Sequence, residues 1–358
     1  MDFRFSEEQA LFRDSVARFS EKYLAPGALA RAHADSYPRD VAKLMAENAL
    51  LGITIPETSG GLDGSLMDAV IAIETVAGSC PRSADVVQAG NFGAIRVLAE
   101  YGSEDQKARF LAPLLAGEKL IAIGMTEPEA GSAVTDLKTA ATAVDGGYRV
   151  SDSKVFTTHS TEADVILAYV RFGPGVGGIG SVLIEKGAEG FSLGQPVRYM
   201  GGDHWAQVYL EDVFVPQADV VLGAGGFKKQ IAGFNVERIG NAARSLALGQ
   251  LAFDTAVEHA KTRRQFGRAL AEFQGLQWKM ADARVALDAA RLLLYRAAVN
   301  ADSNSPGDCR APRKRLLPSS PATGPVSRPP TRPCRSWAPP ATARKRWSNT
   351  VSGAPAAG

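Results

Sequence analysis

Two short stretches in the middle of the chain carry residue types that can hold a flat, polar ligand. Gly124 to Ser132 reads Gly-Met-Thr-Glu-Pro-Glu-Ala-Gly-Ser, and it continues the short, β-prone run Ile121 to Met125. Lys154 to Thr158 is a second β-prone run, which ends in two hydroxyls behind Phe156. Small residues after a strand let a ligand approach the backbone, and an aromatic face beside fixed donors suits a flat heterocycle. Composition alone favours two ordinary hairpin ends of a β domain.

A carboxylate and a basic, aromatic segment follow where the apolar residues have helical spacing. The carboxylate is Glu237, in the segment Asn235-Val236-Glu237-Arg238, and the second segment is Arg263-Arg264-Gln265-Phe266-Gly267. A positioned glutamate can act as a general base. A glutamate beside an arginine is more commonly a solvated helix residue in an ion pair. Both interpretations of Glu237 stay open at the level of the residues.

The order of these segments resembles the flavin-dependent acyl-CoA dehydrogenase family. That family carries a Thr-Glu-Pro-x-Ala-Gly-Ser segment, a Trp-Ile-Thr or Phe-x-Thr strand and an Arg-x-x-Phe-Gly helix in the same order, and the resemblance covers residues 1 to 300. It implies FAD as cofactor and an acyl-CoA thioester as substrate. A carboxylate would remove the α-proton while the β-hydride passes to the flavin N5.

The resemblance also implies roles for single residues near the reaction. Glu237 matches the catalytic base of a subset of the family, which places it on the first bundle helix in a Leu-Glu-Arg context. Many other members place this base near the C-terminus, in a segment that this chain does not match. Arg238 is expected as an orienting group, and Asn235, Arg238 and Ser132 as substrate-contacting groups.

The residues expected to bind FAD by resemblance fall into two sets. Met125, Thr126 and Ser132 would line the flavin and the acyl entrance, Phe156 would lie against the ring, and Thr158 would donate towards its N5 edge. The second set would hold the diphosphate and adenosine end across a subunit contact, and it comprises Arg263, Phe266 and Gln274.

Composition bounds the remaining possibilities. A chain of 358 residues with 45% apolar composition fits a globular enzyme. No apolar run approaches the roughly 20 residues of a membrane helix, and the start Met1 to Ser6 lacks a secretory pattern, so the cytoplasm is the expected location. Cys80 is the only cysteine before residue 303 and is expected to pack as a small apolar residue, without a disulfide or metal site.

Changes in periodicity predict an α+β protein with three folded parts. Residues 1–118 read as an all-helical domain with capping boxes at Ser6 and Ser103. Residues 119–222 read as an antiparallel β domain, with a hairpin at Asp145-Gly146-Gly147 and a turn at His204 and Trp205. Residues 223–302 read as an incomplete helical bundle with two long helices, one from after Gly226 to about Lys261 and one from Phe273 to Val299.

The last 56 residues differ in composition from the rest. Residues 303–358 hold eleven of the 20 prolines and ten of the 40 lysines and arginines, against one acid, so the preceding part has a net charge of −7. Such a segment is typical of a disordered tail. The abrupt change suggests a shifted reading frame, and one reading of Ser336 to Asn349 permits a Gly-Tyr-containing turn like that of the family. The coding DNA tests this hypothesis.

The expected partners follow from the same resemblance. They are electron-transfer flavoprotein as electron acceptor and further copies of the chain in a homotetramer, or related subunits in a hetero-oligomer. Nucleic acid is not expected, since a basic tail without a folded platform gives only nonspecific, salt-sensitive binding. Two alternatives stay open: a non-catalytic subunit, which need not be yellow, and related flavin oxidase chemistry on the same fold.

Overall fold

A computed structural model describes residues 5–199 and 202–304 of the chain. Helices come first, a β-sheet follows, and two long helices end the described part, which confirms the predicted α+β class and order. The predicted disordered tail lies outside the described residues, except for its first two positions. Among the described helices, none has both the length and the apolar character needed to cross a membrane.

The N-terminal helices begin where local capping signals predict. Ser6 and Ser103 each accept a hydrogen bond from the backbone N–H three residues on, and the glutamine side chain at that position accepts one from the serine N–H, so both predicted capping boxes are confirmed. Ser65 forms a third box with Asp68. The helices are α1 Glu7–Phe19, α2 Ala28–His33, α3 Arg39–Glu47, α4 Leu66–Ser79, α5 Pro81–Ala89, α6 Ala94–Tyr101, α7 Glu104–Gln106 and α8 Ala112–Leu115, with π-helical turns at Ser20–Leu24 and Lys107–Leu111.

Helix α4 is the centre of the helical core. It is apolar on nearly all sides, as expected of a helix packed between others, and Ile71, Ile73 and Val76 are buried. Burying each such side chain stabilises the fold by about 1.5 to 3 kcal/mol. Cys80 follows α4 and is buried, as predicted. Pro81 then starts α5, because the fixed φ of proline suits the first turn of a helix.

The middle of the chain forms one eight-stranded sheet with the order β10-β5-β4-β2-β3-β9-β6, to which β1 is added by pairing with β4. Most pairings are antiparallel, as predicted, but β1 and β2 each run parallel to β4. A parallel pair needs a long connection, and the chain between β1 and β4 contains β2 and β3, which form a hairpin that turns at Asp145 to Gly147. The strands are β1 Ile121–Gly124, β2 Ala140–Val144, β3 Gly147–Lys154, β4 Val165–Arg171, β5 Ile179–Glu185, β6 Phe191–Leu193, β7 Val197–Arg198, β8 His204–Trp205, β9 Val208–Pro216 and β10 Val220–Leu222.

Two sequence-based expectations about this region are wrong in detail. The run from Lys154 to Thr158 is not a continuous strand, because β3 ends at Lys154 and Phe156 has a φ of +55°. His204 and Trp205 form the short strand β8, paired with β7, and not a turn. We attribute both departures to tertiary contacts, since neither segment contains a glycine or proline that would indicate the observed backbone conformation.

Two long helices complete the described part, as predicted. Helix α9 spans Phe227–Thr262 and α10 spans Gln274–Asn304, with the two-residue strands β11 Arg264–Gln265 and β12 Arg268–Ala269 between them. Leu246, Ala247, Leu294 and Ala298 join the core around α4. Other large apolar side chains of these two helices are exposed in the described part: Leu248, Trp278, Val285, Leu292, Leu293 and Val299.

Candidate active site

Glu237 projects from α9 into a gap beside α5 and the turn before α6. Its Oε1 accepts a hydrogen bond of 2.7 Å from Gln88 Nε2. Its Oε2 occupies space next to Gly93, where an added Cβ would lie only 2.8 Å away. Gly93 has a φ of +72°, which also favours glycine. The chain therefore leaves room for this carboxylate.

Burial raises the pKa of Glu237 to about 7, and the nearby charge of Asp85 adds to this, while the hydrogen bond from Gln88 and the charge of Arg244 oppose it. A carboxylic acid with a pKa near the working pH can both take and release a proton. Glu237 thus has the acid–base properties of a general base.

Arg238 and Asn235 face away from this carboxylate. Arg238 is exposed, donates to Asn235 Oδ1 at 2.9 Å, and lies 5.3 Å from the ring centre of Phe234. Among the described residues, no ion pair within 4 Å involves Glu237. The surface ion-pair interpretation of Glu237 therefore fails, and the structure does not bring Arg238 or Asn235 to its carboxylate.

A polar network continues from Glu237 along α9. Gln88 Nε2 also lies 2.7 Å from Asn241 Oδ1, and Gln88 Oε1 lies 3.4 Å from Arg244 Nη1. The same Arg244 nitrogen forms a short ion pair with Asp85. None of these residues stood out in the sequence, because the contacts join α5 to a helix about 150 residues later.

Asp85 links this network to the segment after β3. His159 Nε2 lies 2.8 Å from Asp85 Oδ2. Burial acts to raise the pKa of Asp85, but the hydrogen bond with His159 and the charges of Arg244 and Arg82 lower it overall to about 2. Asp85 therefore remains ionised and holds α5, α9 and the residue after Thr158 together.

Asp85, His159 and Asp203 also place three potential metal-ligand atoms within 4.8 Å of one another. Arg244 pairs with Asp85, however, and Arg82 pairs with Asp203. Two guanidinium groups satisfy these carboxylates as an ion-pair network. This donor set favours a structural role over cation binding.

The structure brings the two stretches singled out in the sequence into contact. Val155 N donates to Thr126 O at 2.9 Å. Beneath them, Lys154 Nζ lies 2.7 Å from Glu127 Oε1. Met125 packs against a buried cluster that contains Tyr169. The two stretches therefore lie side by side in the fold.

The surface at this junction fits a flat aromatic ligand. The Phe156 side chain is 59% exposed, and its ring centre lies 4.7 Å from that of Trp205. Thr158 forms a β-bridge with Trp205. Thr157 Oγ1 is buried without a hydrogen-bond partner among the described residues. An exposed ring beside an unpaired hydroxyl provides both stacking and hydrogen bonding, so these residues fit a flavin.

The second predicted cofactor set lies far from Glu237 within one protomer. Arg263 directly follows the end of α9 and lies 26 residues after Glu237, which separates the two by about 39 Å along the helix axis. Arg263, Phe266 and Gln274 are exposed, and Phe266 has a φ of +51°. Ser132 is also exposed, on the loop after β1. The fold therefore does not gather all the predicted site residues into one site within a single chain.

Comparisons with known proteins agree with this architecture. The N-terminal, middle and C-terminal domain models of acyl-CoA dehydrogenase match residues 6–118, 122–213 and 224–313. The short-chain-specific acyl-CoA dehydrogenase of Clostridium acetobutylicum is 34% identical over 321 residues, which cover 88% of this chain and 85% of the relative.

Two solved structures are also similar. Butyryl-CoA dehydrogenase from Megasphaera elsdenii superposes with a TM-score of 0.78 at 33% identity, covering 86% of this chain and 83% of that one. An FAD complex of PigA gives 0.78 at 27% identity, with coverage of 86% and 82%. Three matched domains in the expected order, together with these relatives, lead to one conclusion: the chain belongs to the acyl-CoA dehydrogenase family.

Proposed function

We propose that this protein removes the α-proton of an acyl-CoA thioester with Glu237 as the base, as one half of an α,β-dehydrogenation. The observation that carries the proposal is the half-buried carboxylate of Glu237, which Gln88 holds at 2.7 Å and whose pKa is raised to about 7. Asp85 and His159 connect its surroundings to the segment that fits a flavin. The family assigns the enzyme as an FAD-dependent acyl-CoA dehydrogenase.

The proposed proton transfer uses the two carboxylate oxygens differently. Gln88 donates to Oε1 and fixes the orientation of the group, which leaves Oε2 to receive the proton. Bound FAD supplies the N5 acceptor for the β-hydride.

Binding of FAD is proposed to involve the junction and a second copy of the chain. Met125, Thr126, Ser132, Phe156 and Thr158 would surround the isoalloxazine and the acyl entrance. Arg263, Phe266 and Gln274 would hold the dinucleotide of a neighbouring subunit. Such a shared site supports an oligomer, as in the expected homotetramer. Electron-transfer flavoprotein as acceptor, a role in fatty acid metabolism and a cytoplasmic location stay predictions.

Replacing Thr126 and Thr158 together by valine is expected to weaken FAD binding by about 1 to 3 kcal/mol per lost hydroxyl partner. Valine keeps the shape and β-propensity of threonine. The absorbance ratio of flavin to protein after dialysis measures retention. Thr255→Val is the control, since the Thr255 hydroxyl on exposed α9 bonds only the backbone of its own helix. Equal retention in the double variant and the parent would mean that the isoalloxazine binds elsewhere.

The rate of proton abstraction is expected to rise with pH through a midpoint near 7, because only the ionised Glu237 can accept a proton. Gln88→Leu removes the hydrogen bond that favours the carboxylate, so the midpoint should move to higher pH. The pH profile of kcat/KM measures both. Gln250→Leu, which removes an amide elsewhere on α9, should leave the midpoint in place. A flat profile, or one that Gln88→Leu does not move, contradicts the assignment.

A further inference from the structure

We infer that His159 is a positioning residue for the proposed reaction, because it fixes the flavin-facing segment, Phe156 to Thr158, relative to the helix that carries Glu237. The inference rests on the proposed function and adds a residue that belongs to none of the motifs in the sequence. His159 acts through its contact with Asp85 and not through contact with the substrate.

The flavin-facing segment lies outside the regular sheet. Strand β3 ends at Lys154, and both Phe156, with a φ of +55°, and His159, with a φ of +63°, have a left-handed backbone conformation. Residues other than glycine adopt this conformation at a cost in free energy, so it persists where surrounding contacts enforce it. The conformation of the segment therefore depends on tertiary contacts.

His159 supplies such contacts on the inner side of the chain. Phe156 and Thr158 are exposed, whereas His159 is buried. The His159 backbone N–H donates to His204 O at 2.9 Å, and its ring lies edge-on to that of Tyr37, with 5.3 Å between the ring centres. His159 thus anchors the segment to β8 and to the chain before α3.

The His159 side chain is also bonded to Asp85, which is ionised because its pKa is lowered to about 2. Nε2 of His159 lies 2.8 Å from Asp85 Oδ2, and since an ionised carboxylate only accepts hydrogen bonds, Nε2 is the donor. The other oxygen of Asp85, Oδ1, pairs with Arg244 on α9. A single carboxylate therefore binds both the segment that ends at Thr158 and the helix that carries Glu237.

Arg244 and Glu237 share a further partner on α5. Glu237 Oε1 accepts from Gln88 Nε2 at 2.7 Å, and Arg244 Nη1 lies 3.4 Å from Gln88 Oε1. Side-chain contacts therefore run without a break from His159 through Asp85, Arg244 and Gln88 to Glu237. Loss of the His159 bond would release the flavin-facing segment and leave the direct contact of Glu237 with Gln88 in place.

The two steps of the proposed reaction differ in their need for this alignment. Removal of the α-proton needs Glu237 beside the substrate, whereas transfer of the β-hydride also needs the flavin held against the same substrate. A displacement of about 1 Å can lower the rate of such a transfer about 10²-fold. Loss of the His159 bond is therefore expected to slow hydride transfer more than proton removal.

His159→Asn is the test variant, because asparagine tolerates a left-handed backbone but carries its amide nitrogen one bond closer to Cα than Nε2 of histidine. His159→Gln is the conservative variant, since its amide nitrogen is as many bonds from Cα as Nε2 and can donate to Asp85. The full chain is used with FAD bound, and rates are expressed per bound FAD from the visible absorbance, so unfolded protein does not contribute.

Stopped-flow absorbance measures flavin reduction, and proton NMR in D2O measures exchange of the α-hydrogen, with butyryl-CoA or isovaleryl-CoA, whichever the parent oxidises faster. We expect His159→Asn to lower the rate of flavin reduction at least about 10-fold more than the rate of exchange. His159→Gln should move the ratio of the two rates back towards the parent value. A loss by the same factor in both rates, or no loss in either, overturns the inference.

Binding of FAD provides a measurement that needs no turnover. Titration of the apoprotein with FAD, followed by the fluorescence of FAD, should give a Kd about 3- to 10-fold higher for His159→Asn than for the parent. An unchanged Kd would show that the bond to Asp85 does not position the flavin-facing segment.

His259→Asn is the matched control, because it makes the same change at an exposed position of α9. It should leave the Kd for FAD and both rates unchanged. Failure of the proposed function has a different signature, since it would appear as undiminished exchange in Glu237→Gln with His159 intact.

Discussion

Glu237→Gln is expected to lower the rate of acyl-CoA dehydrogenation by a factor of about 10² to 10⁴, the usual contribution of a positioned general base. Glutamine keeps the size of the side chain and can still meet Gln88 after its amide rotates, so the surrounding packing should persist. Because no proposed FAD contact is altered, FAD should remain bound. Stopped-flow absorbance with acyl-CoA measures the rate, and the visible spectrum measures FAD content.

Glu258→Gln is the control for this variant, because it makes the same chemical change on the same helix at an exposed position. It should leave the rate within about twofold of the parent, as a surface ion pair contributes little. An undiminished rate in Glu237→Gln would refute its role as the base.

Lys154→Met is expected to lower the free energy of unfolding by about 3 to 5 kcal/mol, because it leaves the buried charge of Glu127 unpaired. The two side chains are 0% and 3% exposed and are joined at 2.7 Å. Although burial acts to raise the pKa of Glu127, the Lys154 ammonium lowers it below its ordinary value. Urea denaturation followed by circular dichroism measures the change.

The matched control is Lys261→Met, since Lys261 pairs with Glu258 on the exposed surface of α9. It should change the free energy of unfolding by no more than about 1 kcal/mol. The double variant Lys154→Met with Glu127→Gln should recover part of the loss, because no buried charge then remains. Equal effects of Lys154→Met and Lys261→Met would show that the buried pair does not anchor the loop.

The parts of the fold that sequence reasoning predicted are those set by neighbouring residues. The capping boxes at Ser6 and Ser103 need only a serine and a glutamine three positions on. The turn residues Asp145 to Gly147 predict the β2–β3 hairpin in the same way. Such signals lie within a few residues, so one sequence contains them in full.

The parts that were missed depend on distant residues. Gln88 and Asp85 meet α9 across about 150 residues, and no local spacing indicates this contact. Phe156 leaves its strand although its neighbours are β-prone. Glu237 and Arg238 are adjacent in sequence, yet successive helix positions point in different directions, so Glu237 is half-buried while Arg238 is exposed.

The most direct test of Glu237 as the base is exchange of the acyl-CoA α-hydrogen with solvent. The FAD-loaded protein is incubated with acyl-CoA in D2O, and proton NMR follows deuterium incorporation at the α-carbon. We expect the parent to catalyse exchange with a pH midpoint near 7, and Glu237→Gln to show exchange no faster than acyl-CoA alone. Exchange by Glu237→Gln at the parent rate would show that another group removes the proton, and would contradict the account.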